Sequence, residues 1–298
     1  MVMTTEMPKQ EPSVESTVGD FFSLLKPRVM TLVVFTGICG MILAPGFSTM
    51  HSFLAIIAIF ALAIGAGASG AVNMWYDRDI DLIMNRTKNR AIPAGKVPAA
   101  EGLTFALILC LFSVVIMGLA VNWVAAGILA FAIIFYAVFY TMILKRHTSQ
   151  NIVIGGAAGA FPPMIGWAAV TGDISIDSIV LFLIIFFWTP PHFWALSLFA
   201  NEDYKRANIP MLTVTHGERT TKIQMLIYTL ILLPLCWIPV YTGLAGMSYG
   251  FAAGILNALF ILSAIQTYKE KDGHKNARRM FAYSIFYLFA IFTALVIF

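Results

Sequence analysis

The sequence predicts an all-α membrane protein with about nine transmembrane helices, and three observations indicate this class. Of its 298 residues, 59% are hydrophobic and only 11% are charged, whereas ordinary soluble domains carry about 25% charged residues. The third observation is the length of the apolar segments, because about 20 apolar residues match a hydrocarbon core of about 30 Å. In lipid such a segment must be a helix, since every backbone N–H and C=O needs a partner within the segment.

Nine apolar segments of this length follow one another along the chain. Their approximate bounds are 29–47, 52–73, 102–121, 123–143, 151–171, 177–199, 223–243, 247–268 and 280–298.

The positions of the basic residues predict the orientation of these spans. With nine spans, all 19 Lys and Arg residues precede the first span or follow the second, fourth, sixth or eighth. By the positive-inside rule that face is cytoplasmic, so the N-terminus lies inside and the C-terminus outside. The opposite face has only short loops, so we expect the functional site on the cytoplasmic side.

The predicted domain organisation is simple. Residues 1–20 form a short disordered cytoplasmic tail, and residues 21–298 form one transmembrane domain. The tail lacks the Arg-rich, acid-poor character of a mitochondrial transit peptide, which favours a bacterial inner membrane.

The segment "NMWYDRDIDLIMNRTKNRAIPAGKV", residues 73–97, places acids where the second span ends. Asn73, Asp77 and Asp81 are spaced four residues apart and therefore share one face of a helix, whereas Asp79 points elsewhere. Ionisable groups so near the membrane boundary are costly and usually functional. Mg²⁺ commonly binds through one or two carboxylates and substrate phosphates, so this face is a candidate Mg²⁺ site. The alternative is a solvated helix end whose acids pair with neighbouring cations.

Basic residues follow the acids directly. Arg86 and Arg90 are suited to bidentate contacts with phosphate. A turn at Pro93 and Gly95 is expected to bring Lys96 back toward the acids. The positive-inside rule alone also predicts basic residues in this loop, but it does not predict that they alternate with acids. The pattern indicates a substrate with a phosphorylated head and a hydrocarbon tail.

Two motifs resemble one family of membrane enzymes. The pattern N-x-x-x-D-x-x-x-D followed by R-T-x-x-R and x-P-x-G resembles the UbiA superfamily of intramembrane prenyltransferases, here at Asn73, Asp77, Asp81, Arg86, Thr87, Arg90, Pro93 and Gly95. The segment "TPPHFWALSLFANEDYKRANIPMLTVTHG", residues 189–217, is similar to the branch that farnesylates heme. The resemblance covers nearly the whole chain beyond about residue 20.

The resemblance implies a fold and a reaction. The nine helices would surround a central cavity that opens to the cytoplasmic side. A farnesyl group would pass from farnesyl diphosphate to the 2-vinyl group of heme B, and water would add to give heme O and diphosphate. One or two Mg²⁺ ions are the implied cofactor, and heme B is a substrate rather than a resident cofactor. The implied surroundings are the lipid bilayer and a downstream heme A synthase or terminal oxidase assembly proteins, with no nucleic acid.

The candidate site residues fall into three sets. The catalytic candidates are Asp77, Asp81, Lys145 and His192. The candidate metal ligands are Asn73, Asp77, Asp81, Glu202 and Asp203. Candidates for binding diphosphate or the heme propionates are Asn73, Arg86, Arg90, Lys96, Tyr140, Arg146, Lys205 and Arg206, although Lys205 and Arg206 also suit a loop anchored at the interface.

His192 stands where quinone-type relatives carry a second aspartate-rich motif. On a continuous helix His192, Phe199 and Asp203 share a face, which predicts His192 in the cavity and Asp203 nearer its mouth. Three roles for His192 stay open: a ligand of heme iron, an acid or base, and a buried structural residue. Aromatic rings are expected to stabilise the allylic cation, and the candidates are Trp188, Phe193 and Trp194.

Small residues and prolines predict how the helices pack around a cavity. The runs at 64–71 and 155–166 are rich in Gly and Ala, which allows helices to approach closely. The pairs Pro162–Pro163 and Pro190–Pro191 are expected to bend or break their helices.

Three other classes of protein explain the pattern of residues less well. A quinone-type prenyltransferase acting on 4-hydroxybenzoate shares the first motif, but the histidine and aromatic residues of "TPPHFWAL" fit a porphyrin-sized acceptor better. A secondary transporter would place its ionisable groups near the bilayer midplane, whereas these lie at span ends. A purely structural protein has no need for the acid-then-base arrangement.

Overall fold

Within residues 15–298, which a computed structural model of the protein describes, the chain consists of helices joined by loops and contains no β-strand. Residues 1–14, which make up most of the predicted N-terminal tail, lie outside the described residues.

The helices are numbered along the chain as α1 to α13. They are α1 Val18–Leu24, α2 Pro27–Leu43, α3 Ser52–Tyr76, α4 Arg78–Ile83, α5 Ala99–Ala120, α6 Trp123–His147, α7 Asn151–Thr171, α8 Ile176–Phe199, α9 Asn201–Arg206, α10 Leu212–Thr215, α11 Gly217–Thr242, α12 Met247–Lys269 and α13 Lys275–Ile297.

The predicted multi-span, all-α fold is confirmed. In the described part of the chain eight helices are long and apolar enough to cross a membrane: α3, α5, α6, α7, α8, α11, α12 and α13. The pair α1 and α2 is bent by 53° at a short break and gives a ninth span if the two helices are counted as one. The bend falls at Lys26, whose φ is +53°, and Pro27 then begins α2 with a φ that suits a first helical position.

Contacts between the ends of alternate spans bring the long loops together at one face of the bundle. Arg146, near the end of α6, pairs with Asp79 just after α3. Asn85, in the loop that follows α4, donates to Asp203 of α9 over 3.1 Å. The segments after the second, fourth and sixth spans therefore meet at one end of the molecule, which we call the loop face.

The helices α2 and α7 pack with their backbones in contact, as the small residues predicted. A Cβ on Gly40 would overlap the backbone carbonyl of Pro163, and one on Gly166 would overlap the backbone carbonyl of Gly37. Only glycine permits this approach. The contact positions α2 as one of the helices that line the central cavity.

The prolines were expected to bend or break their helices, and a break at these positions is not found. Pro162 and Pro163 lie inside α7, and Pro190 and Pro191 lie inside α8, and both helices continue past them. Prolines are tolerated within transmembrane helices because neighbouring helices and local adjustments satisfy the freed carbonyl groups.

Part of α6 is wound as a π-helix, over Phe135–Leu144. Within it the hydroxyl of Thr141 donates to the carbonyl of Tyr136, five residues earlier, over 2.8 Å. Such wider turns occur often at functional sites, and this one places Tyr136 and Tyr140 on the cavity wall.

Candidate active site

A cavity of about 500 Å³ runs from the loop face into the bundle between α2, α3, α6, α7, α8 and α13. On α3 alone its wall extends from Leu62 to Asn73, which is about 16 Å at 1.5 Å per residue. Among the described residues its wall carries one carboxylate, Asp81, and five basic side chains, namely Lys26, Arg28, Arg86, Arg90 and Lys145. Most of the remaining wall is apolar or aromatic, so the cavity suits an amphiphile with an anionic head.

Asn73 and Asp77 are hydrogen-bonded to one another at the end of α3. Asn73 Nδ2 donates to Asp77 Oδ2 over 2.7 Å and to Thr141 Oγ1 over 3.1 Å. Lys26 Nζ donates to Asn73 Oδ1 over 2.9 Å, and Lys145 forms an ion pair with Asp77. Asn73 lines the cavity, whereas Asp77 is fully buried behind its wall.

Asp81 is the one predicted carboxylate that reaches the cavity wall. The chain leaves α3 at Tyr76, but the amide of Asp81 still donates to the carbonyl of Asp77 over 2.8 Å. That bond keeps Asp81 one turn after Asp77, as the four-residue spacing predicts. Its carboxylate accepts from Arg90 over 2.7 Å, so its charge is compensated although the residue is buried.

Asp79 points away from the other acids, as expected. Arg146 donates to its two carboxylate oxygens over 2.8 and 2.7 Å. This pairing holds the pKa of the Asp79 carboxyl below its usual range. Arg146 also reaches Asp77 Oδ1 at 3.3 Å, but it does not line the cavity. Arg146 therefore links the end of α6 to the acidic segment that follows α3.

The predicted basic residues separate into two groups. Arg86, Arg90 and Lys145 lie on the cavity wall. The turn at Gly95 forms, with φ of +72°, but Lys96 is exposed and outside the wall.

The continuous helix expected from His192 to Asp203 is not present, and that prediction is wrong. The helix α8 ends at Phe199, and α9 begins at Asn201 after a break at Ala200, whose φ of −109° and ψ of 15° are not those of an α-helix. Asp203 consequently accepts from Asn85 and pairs with Arg206 rather than lying at the cavity wall.

Glu202 and Lys205 pair with each other over 2.9 Å on the exposed side of α9, and neither lines the cavity, nor does Arg206. Across residues 15–298 no group of three or more His, Cys, Asp or Glu side chains is arranged to hold a metal ion. Neither acid of the second segment reaches the cavity wall that Asn73 and Asp81 line.

The aromatic wall lies on α8 and α13. Trp188, Phe193 and Phe281 line the cavity together with His192. Trp194 does not, since its ring packs edge-on against Tyr228 with centroids 5.4 Å apart. Trp194 is thereby removed from the candidate rings for a carbocation.

Several residues that line the cavity carry no local signal of a site in the sequence. Lys26 and Arg28, which flank the proline at the start of α2, indicate only membrane topology there, but both lie on the cavity wall. Tyr204, beside the candidates Lys205 and Arg206, is buried on the cavity wall, and burial raises the pKa of its hydroxyl. Tyr140, a candidate for binding diphosphate or the propionates, lies on the cavity wall, and its ring packs where Gly155 leaves room for it.

The fold and this cavity define a polytopic intramembrane enzyme of the prenyltransferase class, and the chain belongs to the UbiA prenyltransferase family, whose model matches residues 33–289. More particularly, it is 57% identical over 286 residues to a protoheme IX farnesyltransferase of Rhizobium johnstonii, covering 95% of this chain and 90% of that protein. It is 52% identical over 305 residues to a protoheme IX farnesyltransferase of Hyphomonas neptunium, covering 99% and 95% of the two chains.

Solved structures share the fold at low sequence identity. A structure of digeranylgeranylglyceryl phosphate synthase matches with a TM-score of 0.78 and 18% identity, covering 94% of this chain and 97% of that one. A UbiA homologue from Archaeoglobus fulgidus bound to GPP and Mg²⁺ matches with a TM-score of 0.68 and 14% identity, covering 93% and 99%.

Proposed function

We propose that this protein transfers a farnesyl group from farnesyl diphosphate to the 2-vinyl group of protoheme IX and so forms heme O. The observation that carries the proposal is the 52–58% identity to relatives named protoheme IX farnesyltransferase over nearly the whole chain. The cavity supports it, because one end of its wall is basic and the rest is apolar and aromatic.

The proposed reaction is an electrophilic addition with capture by water. The allylic C–O bond of farnesyl diphosphate breaks and diphosphate leaves. The farnesyl C1 bonds to the terminal carbon of the vinyl group, which leaves a cation at the carbon next to the porphyrin ring. Water adds to that carbon and loses a proton, giving the hydroxyethylfarnesyl group.

The diphosphate end is assigned to the basic part of the wall. Arg86 and Arg90 present guanidinium groups that suit phosphate oxygens, and Lys145 and Lys26 add ammonium groups. Three of them are paired here, Lys145 with Asp77, Arg90 with Asp81 and Lys26 with Asn73. A diphosphate would thus meet donors already gathered at the cavity wall by the buried acids.

The residues present fit a Mg²⁺ ion, since Asn73, Asp77 and Asp81 offer the hard oxygen donors that Mg²⁺ takes. Asn73 and Asp81 lie on the wall and would hold the ion, with Asp77 buried behind them. When bound, the ion would act as a Lewis acid toward the leaving diphosphate. Glu202 and Asp203 do not line the cavity, so the proposed ion site is built on α3 and α4 alone.

The acceptor end is assigned to α8 and α13. Trp188, Phe193 and Phe281 offer aromatic faces beside His192. Such rings give an apolar macrocycle a large contact area, and the faces left uncovered stabilise a nearby cation. The apolar lining keeps water from the allylic cation until it has reacted.

We place the protein in the bacterial inner membrane with the loop face toward the cytoplasm. The positive-inside rule supports this orientation, because with nine spans all Lys and Arg residues fall on that side. The product would then pass to a heme A synthase or to proteins that assemble a terminal oxidase.

An acceptor competition tests the proposed function. Purified protein in lipid receives labelled farnesyl diphosphate, Mg²⁺ and either protoheme IX or 4-hydroxybenzoate. We expect label in the porphyrin and none in 4-hydroxybenzoate, and we expect a Mg²⁺ chelator to stop the transfer. Label in 4-hydroxybenzoate alone would assign the protein to the quinone-type branch, and transfer that resists chelation would contradict the metal assignment.

A further inference from the structure

The imidazole ring of His192 is stacked between two aromatic side chains on the cavity wall. Its centroid lies 4.4 Å from that of Trp188 and 4.7 Å from that of Phe281, with interplanar angles of 18° and 22°. Because both faces of the imidazole are covered, only its edge is free to meet a molecule in the cavity.

One edge nitrogen is engaged by a serine on α13. His192 Nδ1 lies 2.6 Å from the hydroxyl oxygen of Ser284, and that oxygen lies 2.6 Å from the backbone carbonyl of Phe281. The backbone carbonyl of Ser284 also accepts a hydrogen bond from Trp188 Nε1 over 2.8 Å. Ser284 thus fixes both the imidazole and one of the rings that covers it.

This arrangement determines where the proton of the imidazole lies. A serine hydroxyl has one proton and a carbonyl only accepts, so the Ser284 proton points to Phe281. The Ser284 oxygen must then accept from Nδ1–H of His192. In a neutral imidazole the other nitrogen carries the lone pair, and Nε2 of His192 makes no hydrogen bond to any residue in the described range 15–298.

We propose that Ser284 is a positioning residue of the acceptor site: it holds His192 in the Nδ1–H tautomer so that Nε2 binds the iron of the porphyrin. This inference rests on the proposed function, which supplies the heme acceptor. Histidines that bind metals commonly donate their other ring N–H to a fixed oxygen, which orients the ring and raises its basicity. In this site the hydroxyl of Ser284 is that oxygen, and the rings of Trp188 and Phe281 hold the plane of the imidazole.

The iron contact would fix the porphyrin in the cavity. A single bond from Nε2 to the central iron leaves the macrocycle free to turn only about that bond. Arg28, the one Lys or Arg of the described cavity wall that is not assigned to the diphosphate, would pair with a propionate and select the rotation in which a vinyl group faces the farnesyl C1. Ser284 would act on the affinity for heme and on its orientation, and not on the affinity for farnesyl diphosphate.

Binding spectra without farnesyl diphosphate test this inference separately from turnover. Protoheme and metal-free protoporphyrin IX are titrated into wild-type protein, Ser284→Ala and His192→Ala, and the Soret band is recorded. We expect Ser284→Ala to weaken protoheme binding about 10- to 100-fold and His192→Ala to weaken it at least as much. Binding of metal-free protoporphyrin should stay within about twofold in both variants, because it has no iron to coordinate.

Ser197 provides the matched control. It is a fully buried serine on α8 whose hydroxyl donates to the carbonyl three residues earlier, as Ser284 does, but it has no histidine partner. Ser197→Ala should leave the heme spectrum unchanged, and imidazole added to His192→Gly should restore the wild-type Soret position.

The two proposals fail in different ways. A wild-type protein that farnesylates protoheme while Ser284→Ala and His192→Ala keep its Soret spectrum and heme affinity would overturn the iron contact alone. Equal losses of protoheme and metal-free protoporphyrin binding would assign Ser284 and His192 a packing role and also overturn it. A wild-type protein that transfers no label to protoheme would instead overturn the proposed function.

Discussion

At the residue scale the site depends on how two buried carboxylates are compensated. Asp77 contacts Lys145 and Arg146, and Asp81 contacts Arg90. A buried charge without a partner is strongly destabilising, so acids and bases must be retained together. The alternation of acids and bases in the sequence therefore reflects a requirement of the cavity wall as well as of membrane topology.

The first prediction concerns Asp81, the acid that reaches the cavity. Asp81→Asn keeps the size of the side chain but removes its charge, so we expect turnover to fall by roughly 100-fold or more, as for loss of a metal contact worth several kcal/mol. The measurement is transfer of labelled farnesyl, with a thermal melt to show that the variant is folded.

Asp79→Asn is the control, since Asp79 lies two residues away and outside the cavity wall. Its turnover should stay close to that of the wild type. Similar losses in the two variants would remove Asp81 from its assigned role.

The second prediction concerns Lys26, which the sequence marked only as a topology signal. Its ammonium donates to Asn73 and lines the cavity, so Lys26→Gln should raise the KM for farnesyl diphosphate about tenfold, through loss of a charge-assisted contact worth about 1.5 kcal/mol. Steady-state kinetics with protoheme held at saturation measures this. Lys88→Gln, at an exposed position outside the wall, should leave KM unchanged. A KM for Lys26→Gln equal to that of Lys88→Gln would count against the diphosphate assignment.

At the element scale the site is built where helices are interrupted by a turn. The chain turns at Lys26 between α1 and α2, at Asp77 between α3 and α4, and at Ala200 between α8 and α9. The second turn keeps the register of Asp77 and Asp81, but the third removes Asp203 from the face of His192. The spacing expected of a continuous helix therefore predicts the relation of Asp77 to Asp81 correctly, but it does not predict that of His192 to Asp203.

The close contact between α2 and α7 gives a prediction at this scale. Gly40→Ala places a methyl group against the backbone of Pro163, and overpacking of this kind costs about 1–3 kcal/mol. We expect a lower midpoint of thermal unfolding in detergent. Gly127→Ala on α6 meets nothing within 4 Å and should leave the midpoint unchanged or raise it. An unaltered midpoint for Gly40→Ala would show that the two helices separate more easily than their packing indicates.

The sequence predicts local features of the site well and distant ones poorly. Apolar length and charge placement identify the spans, and four-residue spacing identifies the shared face of Asn73, Asp77 and Asp81. The contact of Lys26 with Asn73 joins residues 47 positions apart, and that of Ser284 with His192 joins residues 92 positions apart. Such pairs depend on how whole helices pack, which no spacing within one segment encodes.

At the scale of the whole molecule the cavity matches an amphiphilic substrate. Its basic residues gather at the loop face, and its apolar wall extends along α3 into the bundle. A diphosphate head and a farnesyl tail would lie along the same direction. The molecule thereby separates the charged leaving group from the carbocation that it leaves behind.

The orientation of the bundle can be tested by labelling. Asp173→Cys lies in the short loop between α7 and α8, and Asp272→Cys lies between α12 and α13, and both positions are exposed. In intact spheroplasts a membrane-impermeant maleimide should modify Asp173→Cys, and it should modify Asp272→Cys only after permeabilisation. The opposite pattern would invert the orientation, and labelling of both in intact spheroplasts would contradict the nine-span count.

The most direct measurement is a cryo-EM structure of the protein with Mg²⁺ and a non-cleavable farnesyl thiodiphosphate. The diphosphate density should lie between Asn73, Asp81, Arg86, Arg90 and Lys145, with the farnesyl chain directed toward Trp188 and Phe193. Diphosphate density at the exposed pair Glu202 and Lys205, with the central cavity empty of ligand, would contradict this account of the site.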